Sequence, residues 1–348
     1  MAKTQIADII IPTEFERYVI ERTAEISAFW ESGIVGTDPV FDAAAAKGGK
    51  VVELPFWQDL AGDDEILSDT NALTPGKITA SQDTARIHNR AKAWSSTLLA
   101  ELLAGDDPME AIIQLVGDYW ARRMESMLIS SVKGVLAEFD SEAGDPNLLK
   151  ILSESIDLTT AATSMNGLTM IDAKQKLGDR KNRLTAVAMH SAVEADLLKN
   201  DLIDFIPDSE GKAMLPVFQG LRVVVDDSLA SRAGTTNGVV YTSVLFGAGA
   251  FAQGNAPLTD PIRGGASGTE GVEFGRVTLN SDDILVNRRR FILHPRGVRW
   301  LEQNIAEHGG PSNAELEEAA QWDMVFEPKN IRIVGVHHNL NSQIEAGS

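Results

Sequence analysis

The chain has 348 residues, 43% hydrophobic and 23% charged, and its 31 Lys plus Arg against 50 Asp plus Glu give a formal net charge of −19. Those proportions belong to a folded chain with a sizeable core rather than to a disordered one, and the length allows two or three lobes. The lack of cysteine excludes disulfides, thiolate metal sites and cysteine nucleophiles, and the acidic balance opposes broad binding to a phosphate backbone. No apolar run approaches bilayer-crossing length and the first residues lack a signal-peptide pattern, so synthesis in a cytosol and no membrane association are expected.

Residues 1–50 read as an arm: Thr13 to Thr23 has helical spacing, and Ala43 to Gly49 reads as an open connection. Val51 to Leu60 reads as an extended strand whose Pro55 favours an edge position. A polar tip, Ala61 to Gly76, separates it from a return strand over Lys77 to Ser96, in which Thr, Ile and Ala alternate with polar residues. A two-stranded ribbon of this length is marginal in water on its own and needs a surface to lie on. A neighbouring subunit is the natural surface, with an intramolecular cover as the alternative.

The most informative segment follows. From Asp107 to Phe139, Met109, Ile112, Ile113, Val116, Trp120, Met124, Met127, Leu128, Val132 and Leu136 recur three or four residues apart, which predicts one long helix with a continuous apolar face. Asp106 or Asp107 can cap its start, and Pro108 sits where a helix tolerates proline. At about 1.5 Å per residue it would be roughly 50 Å long. A helix of that length beside a ribbon that cannot fold alone suggests a building block for an assembly.

From Leu168 the pattern becomes α/β: a helix over Thr169 to Leu177, a buried strand Leu184 to Met189, and a helix from Ser191 to Asn200 with Ser191 as its cap. Strands Leu221 to Val225 and Gly238 to Phe246 follow, the latter running into the Gly- and Ala-rich 247–254; residues 257–271 form a Pro/Gly-rich loop. Beyond the loop come strands Phe274 to Leu279 and Asn287 to His294, expected to cover the long helix. A helix Ser312 to Trp322, with a Ser312/Glu315 capping box, and a strand Ile331 to Val336 close the chain.

Chemistry does not explain this chain. Gly264 to Gly271 has neither the P-loop nor the dinucleotide spacing and lacks the nucleophile elbow. Among the six histidines, His337 and His338 are adjacent, so on a strand their rings face opposite ways and cannot share one ion. Asp63, Asp64, Glu65 and Asp69 lack EF-hand spacing and read as an acidic loop tip. Asp226–Asp227 and Asp282–Asp283 read as turn-formers at strand ends. No catalytic residue, cofactor or metal is expected.

Taken in order, these segments resemble the major capsid (coat) protein of tailed bacteriophages, an α+β chain with the HK97-like fold. Val187-Ala-Met-His190-Ser191, a strand running into a helix, and the strand end Val223-Val-Val-Asp226-Asp227 are turns of sequence similar to those of such coat proteins. The resemblance implies an N-terminal arm (1–50), an extended β-hairpin loop (51–97), a long spine helix with the first part of the peripheral domain (98–167), an axial domain (168–271), and the second part of the peripheral domain with the C-terminal segment (272–348). It also implies self-assembly into hexamers and pentamers of an icosahedral shell that encloses double-stranded DNA without sequence-specific binding. The shell would form in the host bacterial cytoplasm and end in the virion, with a portal and, in some members, a decoration protein. About fifty residues precede the extended loop, so a separate scaffolding protein is expected. Subunit-interface candidates are Phe56 and Trp57 on the outgoing strand and Arg86, Arg90 and Lys92 on the return, and Arg90→Glu is expected to weaken assembly while sparing the monomer fold. Other readings are an encapsulin-type nanocompartment shell, a phage tail or neck component, and, remotely, a carboxylate-based hydrolase using Asp226 and Asp283.

Overall fold

The computed structural model describes residues 28–46, 49–60, 62–66, 73, 75–98, 102, 107–141, 148–150, 164–207, 214–229, 231–233, 239–255, 270–277 and 282–340. The helix expected over 13–23, the acid Asp69 and the loop residues 257–269 lie outside them. In chain order the elements are α1 (Ala28–Glu31), β1 (Val35–Thr37), α2 (Pro39–Ala46), β2 (Val51–Trp57), β3 (Ala80–Thr97), α3 (Pro108–Ser141), β4 (Leu148–Lys150), α4 (Gly167–Gln175), β5 (Leu184–Met189) and α5 (Ser191–Lys199). There follow β6 (Asp204–Pro207), β7 (Met214–Phe218), β8 (Leu221–Val225), β9 (Ser231–Ala233), β10 (Val239–Gly247), β11 (Phe251–Asn255), β12 (Glu270–Val277) and β13 (Asp282–Pro295). The chain ends with β14 (Val298–Trp300), α6 (Asn313–Leu316), β15 (Trp322–Met324) and β16 (Ile333–His338).

Two sheets organise the molecule. One runs β1-β11-β13-β3-β2, with β12 on the edge of β13; the other runs β4-β16-β10-β5-β8-β7-β6, with β9 on β10. The long helix α3 is present as the apolar spacing requires, opened by Asp107, whose Oδ1 accepts from Met109 N at 2.8 Å. Its buried stripe is Trp120, Met124, Met127, Leu128, Val132, Val135, Leu136 and Phe139, which from Met124 on shares one core with Phe291 and Leu293 of β13. The first turns are less covered, and Ile113 is 47% exposed although it keeps the apolar period. At Gly134 the helix meets the C-terminal segment so closely that a Cβ there would lie 2.0 Å from Leu316 O and 2.4 Å from Trp322 Nε1.

The second sheet carries its own core. Met170 and Ala173 of α4, Val193 and Leu197 of α5, and Val187, Val223, Leu245, Val334 and Val336 of the strands form one cluster. The two sheets exchange strands across the sequence division at 168 and 271: β16 completes the second sheet against β10, whereas β11 leaves it to pair with β13. The exchange happens in one tight turn, Gly247 to Ala250, where Ala250 N donates to Gly247 O and Gly249 takes a positive φ of 62°. The 247–254 stretch therefore ends in a strand that its small residues concealed.

Other details differ from the sequence reading. Ala43 to Ala46 are the last residues of α2 rather than an open connection, because Phe41 and Ala45 are buried against Ala85, Ile87, Ala252 and Ile292. The cap of α5 is His190, whose Nδ1 accepts from Ala192 N; Ser191 is already helical, and its N–H donates to Asp227. The strand expected from Asn287 starts earlier: β13 is continuous from Asp282 because β3 and β12 pair with it on both edges. The helix expected over Ser312 to Trp322 keeps its capping box but stops at Leu316, whose carbonyl is taken by the Trp322 indole at 2.9 Å. A single 3-10 turn, Ala319–Gln321, follows.

Candidate functional site

β3 belongs to both the body and a projecting ribbon. Its second half, from Ile87 on, lies in the body beside β13, while Ala80 to Arg86 pairs only with β2 in the register Val51↔Arg86 to Trp57↔Ala80. The ribbon continues past the named strands through Gln58 N donating to Thr79 O at 2.9 Å. A stiff strand thus enters the body at one end and leaves it as an arm at the other. The arm exposes large apolar side chains: Trp57 at 69%, Leu60 at 76%, Ile66 at 94%, Leu73 and Ile78. Its tip exposes Asp63, Asp64 and Glu65.

The root of the arm is pinned. Arg86, 3% exposed, donates to Lys50 O at 2.8 Å and His308 O at 3.0 Å and lies 3.5 Å from the Glu302 carboxylate. Asn89 holds Gly309 O through both its backbone and side-chain N–H groups. Asp83 is buried, with Oδ1 2.9 Å from His294 Nε2 and Oδ2 accepting from Gly297 N at 3.2 Å. Burial opposes ionisation of Asp83, but attraction to His294, its hydrogen bond and the Gly297 and Thr84 N–H groups outweigh that and hold the carboxyl below its usual range. His88, stacked on Phe291 with centroids 5.4 Å apart, is pushed down to about 3 by burial and by Arg90, Arg86 and His294.

The interface candidates separate accordingly. Trp57 and Lys92 face outward. Phe56 is half-buried and meets Phe326 of its own chain edge-to-face at 4.8 Å. Arg86 serves the root, and Arg90 donates through Nη2 to Pro311 O and Asn313 Oδ1. Reversing the charge of Arg90 therefore disturbs the body as well, so Arg90→Glu is not a variant that spares the monomer. Sequence spacing missed the Asp83–His294 and Arg86–His308 contacts because their partners lie more than 200 residues apart.

The residues considered for chemistry have structural roles. Asp226 closes a turn by accepting from Ser228 N at 2.7 Å, and it follows β8 of the second sheet, whereas Asp283 is on β13 of the first. Asp227 accepts from Ser191 N at 3.1 Å, and hydrogen bonds from Ser191 hold its carboxyl below the usual range. His337 Nδ1 meets Thr242 Oγ1 at 2.9 Å and His338 Nε2 meets Ser243 Oγ at 2.8 Å, the adjacent rings finding separate partners. Burial pushes His338 down to about 4. Among the described residues no group of three or more His, Asp or Glu side chains could hold a metal ion, and no helix is long and apolar enough to cross a membrane.

No family model matches the chain. It is 41% identical over 345 residues, 98% of this chain and all of the relative, to the major capsid protein of Bacillus phage SPP1. The capsid of Ralstonia phage GP4 superposes with a TM-score of 0.62 at 11% identity, covering 95% of this chain and 96% of that one. The SrpI encapsulin of Synechococcus elongatus PCC 7942 superposes with a TM-score of 0.57 at 9% identity, covering 98% of both chains. The two solved structures show the fold: an HK97-like chain of mixed helix and sheet.

Proposed function

This chain belongs to the major capsid protein family of tailed bacteriophages, and from that we infer that it is the subunit of an icosahedral head shell, built as hexamers and pentamers around a double-stranded DNA genome. The observation that carries the reading is the 41% identity sustained along the whole of both chains. The encapsulin likeness, at 9% identity, speaks for the fold alone. The role is structural rather than catalytic, and its chemistry is self-association: many weak interfaces summed over a closed surface. A net charge of −19 suits a wall that contains DNA by repulsion without gripping it. Assembly in the host bacterial cytoplasm on a separate scaffolding protein, with a portal at one vertex and a decoration protein as an optional partner, completes the reading.

Within that shell the arm lies over an adjacent subunit. Its support is the exposed apolar series from Trp57 to Ile78 on a ribbon whose root is pinned and whose outer half has only one partner strand per strand. Trp57 and Lys92 are the interface residues on the outward face, with Phe56, Arg86 and Arg90 setting the angle at which the arm leaves the body.

Negative-stain microscopy with sedimentation velocity, on recombinant protein with and without a co-expressed candidate scaffolding protein, tests this function. Closed shells or discrete five- and six-fold capsomers are expected. Open tubes or single rings would replace the reading by a tail or neck component, and a stable monomer under every condition would overturn it.

A further inference from the structure

A cavity of about 90 Å³ opens between α3 and the sheet, lined by Tyr119, Trp120 and Arg123 of the helix, Arg90 of β3, Phe291 of β13, and Asn313. It has room for several waters but falls well short of the roughly 300 Å³ of a small-molecule site. Its lining is cationic. Burial, and then the charge of Arg123, lower the pKa of Arg90, with Glu315 acting in the opposite sense. Glu315 is itself engaged by Ser312 and by Ala306 N–H, which hold its carboxyl below the usual range. Two donors in the lining have no partner. Trp120, only 4% exposed, has an unbonded indole Nε1–H, and Arg90 has an unbonded buried Nε–H. A buried indole N–H normally finds an acceptor, and orphaned donors beside two guanidinium groups call for an anionic oxygen.

We propose that this cavity receives an acidic side chain from the arm tip, Asp63 or Asp64, of a second copy of this chain, so that each subunit is latched to the next by a carboxylate held between Arg90, Arg123 and the Trp120 N–H. The inference rests on the shell-subunit reading and names the contact that reading lacks. Within one copy the two halves cannot meet. Arg90 and Ala80 are ten residues apart along the continuous strand β3, roughly 33 Å at about 3.3 Å per residue, and the tip lies beyond Ala80. The pocket lies at the middle of β3 and the acids beyond its outer end, which makes the contact heterologous, head to tail, the type that closes rings when the rotation fits. The exposed acids and the neighbouring Ile66, 94% exposed, supply the charge and the apolar anchor that such a socket takes.

Charge reversal tests the latch under conditions in which the parent protein assembles. Arg123 is exposed, so Arg123→Glu leaves the fold intact, which circular dichroism would verify. The protein concentration needed for half assembly, read by sedimentation velocity, should rise at least about tenfold for Arg123→Glu and for the double variant Asp63→Lys/Asp64→Lys. Combining the reversals should restore much of the loss, and Trp120→Phe, which removes the N–H but keeps an aromatic ring, should weaken assembly several-fold. Unchanged assembly of Arg123→Glu, or losses that merely add in the combined variant, would overturn the latch and leave the shell reading standing. Arg123→Glu heads that assemble normally but retain less DNA would also overturn it, assigning the cavity to a phosphate. Failure of the parent itself to assemble would remove the shell reading and the latch together.

Discussion

Removing the Asp83 carboxylate tests whether the arm root is held as described. In Asp83→Ala, the His294 ring and the Gly297 N–H, both in the buried root, lose their acceptor. Each of these two buried groups left without a partner costs about 1–3 kcal/mol, about 2–6 kcal/mol together. About 2–6 kcal/mol is therefore expected, a large fraction of the roughly 5–15 kcal/mol that holds a domain folded. Asp83→Asn, which keeps an acceptor, should lose less. The assay is urea unfolding of unassembled protein followed by tryptophan fluorescence. Hydrogen exchange should place the loosening in residues 80–90 and not in the second sheet. pH provides an independent check with a definite sign. Because the folded carboxyl titrates below its usual range, its contribution is complete above the unfolded value, about 3.9, and is lost as pH falls through the folded one. The gap between parent and Asp83→Ala should stand at pH 5 and narrow below about pH 4. A gap under about 1 kcal/mol, or one that persists in strong acid, would refute the clamp.

Three further outcomes are expected. Gly134→Ala should destabilise by about 3 kcal/mol or more in the same urea assay: the Cβ would strike Leu316 O and the Trp322 indole and break their hydrogen bond, which outweighs the roughly 1 kcal/mol that alanine gains over glycine in a helix. His88 and His338, buried with folded values of about 3 and about 4, stay neutral while the unfolded chain protonates below about 6.5. Stability should thus fall as pH drops from 6.5 towards 4, with each histidine contributing up to about 1.4 kcal/mol per pH unit, and His338→Gln should flatten the profile by about that slope. Trp57→Ala should change monomer stability by less than about 0.5 kcal/mol, since the ring is 69% exposed, yet raise the concentration needed for assembly; normal shells at parental concentrations would count against the arm's role.

The elements with strong local period were legible in the sequence. The apolar stripe of α3, the alternation in β3 and the capping box at Ser312 each follow from residues within a few positions of one another. What stayed hidden depends on distant partners. β11 reads as a Gly/Ala-rich turn until β13 supplies its ladder, and β13 looks interrupted until β3 and β12 pair with it on both edges. The helix after Ser312 has good helix formers through Ala320, yet it ends early because one indole captures Leu316 O. The interface candidates had the same fate. Composition identified Arg86 and Arg90 as cations on a ribbon, but only the fold shows that Arg86 is spent on backbone carbonyls and that Arg90 shares a cavity with Arg123 and Trp120.

The division of β3 into a pinned and an unpinned half has an energetic consequence for assembly. Association costs freedom of motion, and an arm that had to find its direction while docking would add the ordering of its backbone, about 1–2 kcal/mol per residue fixed, to that cost. The root contacts of Asp83, Arg86 and Asn89 settle the direction of departure beforehand, within the monomer. The exposed Trp57, Leu60 and Ile66 can then return much of their burial, about 1.5–3 kcal/mol for a fully covered large side chain, to the contact itself. Asp83→Asn, with its smaller expected loss in stability, should accordingly weaken assembly by more than that loss predicts, since a looser root charges the ordering to every docking event. Sedimentation velocity at a temperature where both proteins remain folded decides the point: equal assembly curves would mean that the arm's direction is set by the neighbour and not by its own root.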